Sequence, residues 1–309
     1  MNAGNRPALC WSHFTSLFHN LAEVAGARMK WRNDEDCRLK FAICNELYEG
    51  WPLARICRSV ADLGYTGLEI APYTLAACVT DISATRRAEY RRQAIDAGIK
   101  IIGLHWLLAG TTGFHLNDPD SSVRRRTAEY LAELVHCCAD LGGELMVFGS
   151  PAARQLPPGV SMDDAFQFAA DTIRRITDTL TARAVDFCIE PLASTETDFI
   201  QTANDAVRLI RLVDHPRVLL HLDVKAMSSE PTPIPAIIRA HAAHLRHFHA
   251  NDANRRGPGM GEIDFVPIFC ALRDVNYDKW VSVEVFDFSP DPETIARESI
   301  AYMRRCLGN

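Results

Sequence analysis

The sequence predicts an α/β fold, a (β/α)8 TIM barrel with an irregular N-terminal extension. Three observations predict it. Short apolar runs of strand length alternate with longer amphipathic stretches, the alternation begins near Lys40, and it repeats eight times before the chain ends. Strand–helix alternation implies parallel strands joined by right-handed crossovers. Eight such units are what barrel closure needs, and a length of 309 residues suits one barrel as well as two smaller domains.

The strand candidates are Phe41–Asn45, Gly67–Ala71, Ile101–His105, Leu145–Gly149, Asp186–Glu190, Val218–Asp223, Leu245–Ala250 and Val281–Val285. Helical periodicity falls between them at Leu53–Leu63, Thr85–Ala97, Ser122–Leu141, Asp163–Ala182, Thr202–Val213, Pro235–Ala242, Phe265–Val275 and Pro292–Cys306. Gly64 and Gly98 close the first two helices. Ser121 or Ser122 caps the third, and Gly142-Gly143 ends it. Asp291 or Ser289 precedes a proline at the start of the last. An open doubly wound sheet would more often carry a glycine-rich turn after its first strand, and Asn45-Glu46-Leu47-Tyr48 is no such turn. The segment 1–39 shows no clear strand. It is expected to be a poorly ordered extension, with the barrel over 40–309.

Composition narrows the function. The chain is 48% hydrophobic, which supplies one large core, and its net charge of −6 argues against nucleic acid as a partner. Ten cysteines occur without a CxxC pair, several of them (Cys44, Cys188, Cys270) in apolar runs. They read as buried free thiols in a reducing compartment. No uncharged apolar stretch is long enough to cross a membrane, and the N-terminus lacks the layout of a signal peptide. The expected location is cytoplasmic, with no membrane partner.

A barrel of this kind carries its active site at the C-terminal ends of its strands. Polar residues fall there on strand after strand: Asn45, Glu69, His105, Glu190, Asp223, His249 and Glu284. Four consecutive strands supply Glu190, Asp223, His249 and Glu284. Three carboxylates and an imidazole suit a hard or borderline divalent ion, Mn2+ foremost, with Mg2+ or Co2+ as alternatives. Strand periodicity puts His221 with Asp223 and His247 with His249 on shared faces. His221 and His247 read as deeper, hydrogen-bonded core histidines.

Several segments carry a family resemblance. Ile189-Glu190-Pro191 followed by Glu196-Thr197-Asp198-Phe199, then Leu222-Asp223, His249-Ala250-Asn251-Asp252-Ala253-Asn254-Arg255 and Val283-Glu284 resemble the xylose-isomerase-like barrel superfamily (sugar phosphate isomerases and epimerases). Within it they are most similar to the tagatose/psicose 3-epimerase group. The resemblance implies that Glu190, Asp223, His249 and Glu284 bind the metal, and that Glu196 and Arg255 contact the substrate. One position departs from the group: its substrate-binding histidine three residues after the strand-6 aspartate is Ala226 here.

The resemblance and the residues imply one chemistry. A divalent-metal-dependent isomerase or epimerase would take a sugar or polyol through a metal-stabilised enediolate, with Glu190 and Glu284 as acid and base. His105 and Trp106, at the mouth of the third strand, are further substrate-binding candidates. A lyase acting through the same intermediate, similar to inosose dehydratases or to 3-keto C-glycoside deglycosidases, is the alternative that Ala226 favours. A phosphodiesterase of the endonuclease IV type is a weaker third. Homo-oligomers are common in the resembled family, and a partner subunit is compatible with it.

Overall fold

The computed structural model describes residues 39–308 together with Met1. The expected extension therefore lies outside the described residues, apart from its two ends. The eight strands pair in chain order, and the last closes on the first as a parallel barrel. They are β1 Lys40–Cys44, β2 Gly67–Ile70, β3 Lys100–Leu104, β4 Leu145–Phe148, β5 Asp186–Ile189, β6 Val218–Asp223, β7 Leu245–Ala250 and β8 Trp280–Val283. The helices between and after them are α1 Leu53–Asp62, α2 Ala84–Asp96, α3 Ser121–Leu141, α4 Met162–Arg174, α5 Thr177–Arg183, α6 Ala203–Val213, α7 Val224–Met227, α8 Ile234–His241, α9 Phe265–Asp274 and α10 Pro292–Leu307. None of these is long and apolar enough to cross a membrane.

Three details differ from the sequence expectation, each for a local reason. The single helix expected over Asp163–Ala182 is two. Thr177 returns its hydroxyl to the Arg174 carbonyl at 2.9 Å, and such back-bonding competes with the helical ladder where α4 ends. The cap of α3 is Asp120 rather than either serine, because its carboxylate accepts the Ser122 amide at 2.7 Å. Cys78 and Cys270 are only half-buried: Cys78 lies in the loop after β2 beside Thr80, and α9 turns Phe265, Ile268, Phe269 and Leu272 to the core and leaves Cys270 beside Arg273. Cys44, Cys57, Cys137, Cys138, Cys188 and Cys306 are buried free thiols as expected. Cys10 and Cys37 lie outside the described residues.

The period of two along each strand stacks the barrel interior in layers. Leu145, Val147 and Cys188 form one apolar cluster, and Ala42, Ile102 and Trp280 another. Above them the strands turn polar. His221 pairs in register with His247, and Asp223 with His249, after a register shift between Leu220 and His221. The apolar layers fix the strands, and the strands deliver the polar residues to one end.

Candidate active site

Each expected ligand arrives at the end of its own strand. Glu190 follows β5, Asp223 ends β6, His249 is the fifth residue of β7, and Glu284 follows β8. All four are buried. His249 Nδ1 lies 3.1 Å from Glu284 Oε2, and Trp106 Nε1 donates to Glu284 Oε1 at 2.8 Å. Asp223 caps the short α7, its Oδ1 accepting the Ala226 amide at 2.7 Å while Oδ2 accepts Asn251 Nδ2 at 2.5 Å. The backbone carbonyl of Glu190 accepts Arg154 Nη1 at 2.6 Å, which anchors the turn after β5. Its carboxylate receives no hydrogen bond from any described residue; His221 Nε2 stands 3.9 Å from Oε1.

The electrostatics mark the same spot. Burial, and then the charges of Glu284 and Asp223, push the Glu190 carboxyl up to about 8. Burial and Glu284 likewise push Asp223 up to about 6. Burial would raise Glu284 too, but the charge and hydrogen bond of His249, with His105 and Trp106, hold it below its usual range. Burial opposes a charge on His249, but Glu284 and Glu69 outweigh it and raise the imidazole well above its ordinary value. Three crowded carboxyls, one of them without a donor among the described residues, are a donor set whose chemistry suits a cation. A divalent ion would relieve the repulsion that raises Glu190 and Asp223. The oxygen-rich set with one imidazole fits Mn2+, Mg2+ or Co2+.

Beneath His249 sits a clamp that the sequence only hinted at. Glu69 Oε2 accepts His247 Nε2 at 2.8 Å and His249 Nε2 at 3.2 Å. A ring nitrogen donated to a carboxylate fixes the ring's orientation, and it turns the other nitrogen of His249, Nδ1, toward Glu284. So His247 is the hydrogen-bonded core histidine expected of it. His221 is not: neither of its ring nitrogens has a partner among the described residues.

The remaining expected residues line the mouth. His105, Trp106, Glu190, Glu196, Arg255 and Glu284 share a cavity with Lys225 and Phe286. His105 bonds Glu46 Oε2 through Nε2 at 2.8 Å. Trp106 faces Phe286, with ring centroids 6.0 Å apart. Glu196 is not free to meet a ligand alone, because Lys225 Nζ holds both of its oxygens at 2.8 Å. Lys225 also lies 4.5 Å over the Phe286 ring. Arg255 takes a left-handed backbone, φ 71°, and its guanidinium is 5.9 Å from the same ring.

Sequence reasoning missed Lys225, Asn251 and Glu46. Asn251 was recoverable, since it falls two residues after His249 and so shares its face. Lys225 directly precedes the anomalous Ala226, but nothing local predicts its reach back to Glu196 across 29 residues.

Comparison with known proteins gives a consistent relationship. Residues 57–306 match the family described as Xylose isomerase-like TIM barrel. D-psicose 3-epimerase of Ruminiclostridium cellulolyticum is 29% identical over 231 residues, 74% of this chain and 76% of that protein. The 3-dehydro-D-guloside 4-epimerase of Escherichia coli K12 is 27% identical over 259 residues, 81% of this chain and 93% of that one. The solved D-psicose 3-epimerase with D-tagatose from Clostridium cellulolyticum H10 has a TM-score of 0.78 at 24% identity, covering 87% of this chain and 99% of that structure. That likeness is one of fold.

Proposed function

The chain belongs to the Xylose isomerase-like TIM barrel family, and from that premise we propose that it is a divalent-metal-dependent sugar epimerase. The observation that carries the reading is the convergence of Glu190, Asp223, His249 and Glu284 from four successive strands, where burial and the charges of Glu284 and Asp223 push the Glu190 carboxyl up. The ion would be held by these four, Mn2+ being favoured, and when bound it polarises the substrate carbonyl and stabilises the negative charge that develops there.

The protein side chains do the rest. Glu190 and Glu284 follow strands three apart around the barrel, so they reach a substrate from different sides. Glu190, with no donor on its carboxylate, takes the carbon-bound proton. Glu284, held by His249 and Trp106, takes up a proton from solvent and delivers it to the same carbon from the other side, inverting it, while Glu190 releases to solvent the proton it took. The roles exchange in the reverse direction. Trp106 and Phe286 form apolar walls against which a sugar face can lie, and they limit water around the reacting carbon. Arg255 and the Lys225–Glu196 pair supply donors and acceptors for substrate hydroxyls.

The substrate class is a ketose or a keto-glycoside, as the relatives' names suggest. A second reading is favoured by one observation: the histidine of the resembled group is replaced by Ala226, which is buried, while the neighbouring Lys225 lines the cavity with Glu190 and Glu284. A leaving group at that position would give elimination after the same proton removal. An activity panel over free ketoses, inososes and 3-keto glycosides with added Mn2+ separates the two, since an epimerase returns an isomer of unchanged mass and a lyase releases a fragment or water. Unchanged turnover in both Glu190→Gln and Glu284→Gln contradicts either reading.

A further inference from the structure

His221 occupies the fourth position of β6 and is fully buried. A buried imidazole ordinarily engages at least one nitrogen, because a buried polar atom without a partner has lost its water and gained nothing in return. The other buried histidines around it do so: His247 and His249 through Glu69, and His105 through Glu46. His221 does not. It lies two residues before Asp223 and turns to the same interior face. Its Nε2 is 3.9 Å from Glu190 Oε1, and its ring centroid is 4.1 Å from that of His249 at an angle of 72°. One ligand atom from each of Glu190, His221, Asp223 and His249 falls within 4.8 Å of all the others. Donors roughly 2.1 Å from a common ion stand up to about 4.2 Å apart, so a small adjustment brings all four onto one centre.

We propose that His221 is itself a ligand of the metal ion, adding a second imidazole to the site. This rests on the metal reading given above and extends it. One of the two nitrogens that lack a partner among the described residues is then the donor to the cation, and the other carries the ring proton. The consequence is selectivity. Mg2+ favours oxygen donors and holds its waters, whereas Mn2+, Co2+ and Zn2+ accept imidazole readily. A second imidazole biases this chain against Mg2+.

The test counts nitrogen ligands. The full-length protein is loaded with one equivalent of Mn2+, and electron spin echo spectroscopy resolves the imidazole 14N couplings. Two inequivalent imidazoles are expected. His221→Met, close in volume and a poor ligand for Mn2+, should lose one of them and weaken Mn2+ binding roughly 10–100-fold, the scale seen when the surroundings of a metal ligand are altered. Its Mg2+ affinity should change far less. Bound Mn2+ with a single imidazole in the wild-type protein overturns the assignment of His221 and leaves the four-residue site standing. A protein that binds no Mn2+ overturns both. Because the wild-type count decides alone, a misfolded variant does not stall the test.

Discussion

Gly149 follows β4 and faces the Glu190 carboxylate, and the absence of a side chain there is what lets that carboxylate sit where it does. A Cβ built on Gly149 lies 2.8 Å from Glu190 Cδ and closer still to Oε2, inside the 3.0 Å that real Cβ contacts essentially never cross. The Gly149→Ala backbone itself is unstrained, since this glycine has no positive φ. The carboxylate must therefore swing away, by roughly 1 Å, and a misplacement of that size at a reacting group costs on the order of 100-fold in rate. That corresponds to about 2.7 kcal/mol of transition-state stabilisation. Because Glu190 is both ligand and base in this account, kcat and Mn2+ affinity should fall together. Steady-state turnover and Mn2+ titration on Gly149→Ala check it. Values of kcat and Mn2+ Kd both within twofold of wild type would show that Glu190 does not act from the position described.

Other perturbations reach the same site from different sides. Glu69→Gln weakens the carboxylate that orients His249 and should loosen Mn2+ binding roughly 10–100-fold with a smaller effect on KM, read by metal titration. Trp106→Phe removes the donor to Glu284 Oε1; the expected result is a lower kcat, with Mn2+ affinity changed less than in Glu69→Gln. Lys225→Met releases Glu196 and should raise KM more than it lowers kcat, since the pair faces the substrate rather than the ion. The pH dependence has a definite sign. Glu190 and Asp223 are raised from 4.5 and 3.8 to about 8 and about 6, so their contribution to stability in the metal-free protein is present at low pH and is lost as pH rises toward 8. Mn2+ replaces those protons, so the rise in melting temperature on adding Mn2+ should be larger at pH 8 than at pH 6; an equal or smaller rise counts against the site.

The barrel, and the arrival of Glu190, Asp223, His249 and Glu284 at one of its ends, were legible because both follow short rules. Strand length and helix period set the alternation, and barrel geometry sends strand-end residues such as Glu190 and His249 to a common mouth. Element ends and caps were less legible. Asp120, Ser121 and Ser122 are all residue types that cap helices, and only the structure shows that Asp120 accepts the Ser122 amide at the start of α3. Side-chain partnerships were least legible. Glu69 was visible as a charge inside a strand, but its hold on His247 and His249 joins positions 178 and 180 residues away. The pairing of Lys225 with Glu196 likewise depends on how the loops after β5 and β6 approach each other, which no local pattern encodes. His221 looked like an ordinary core histidine until its surroundings showed that no hydrogen bond from the described residues reaches it.

The most direct measurement follows a single proton. Mn2+-loaded protein is incubated with a ketohexose in D2O, and the product is examined by mass spectrometry and NMR. Loss of a carbon-bound proton next to the carbonyl, followed by return from a second carboxylate that exchanges with solvent, predicts one deuterium at the inverted carbon of the epimer. It also predicts that Glu190→Gln abolishes the incorporation. Epimer formed without any solvent deuterium, or formed at an undiminished rate by Glu190→Gln, would contradict the account.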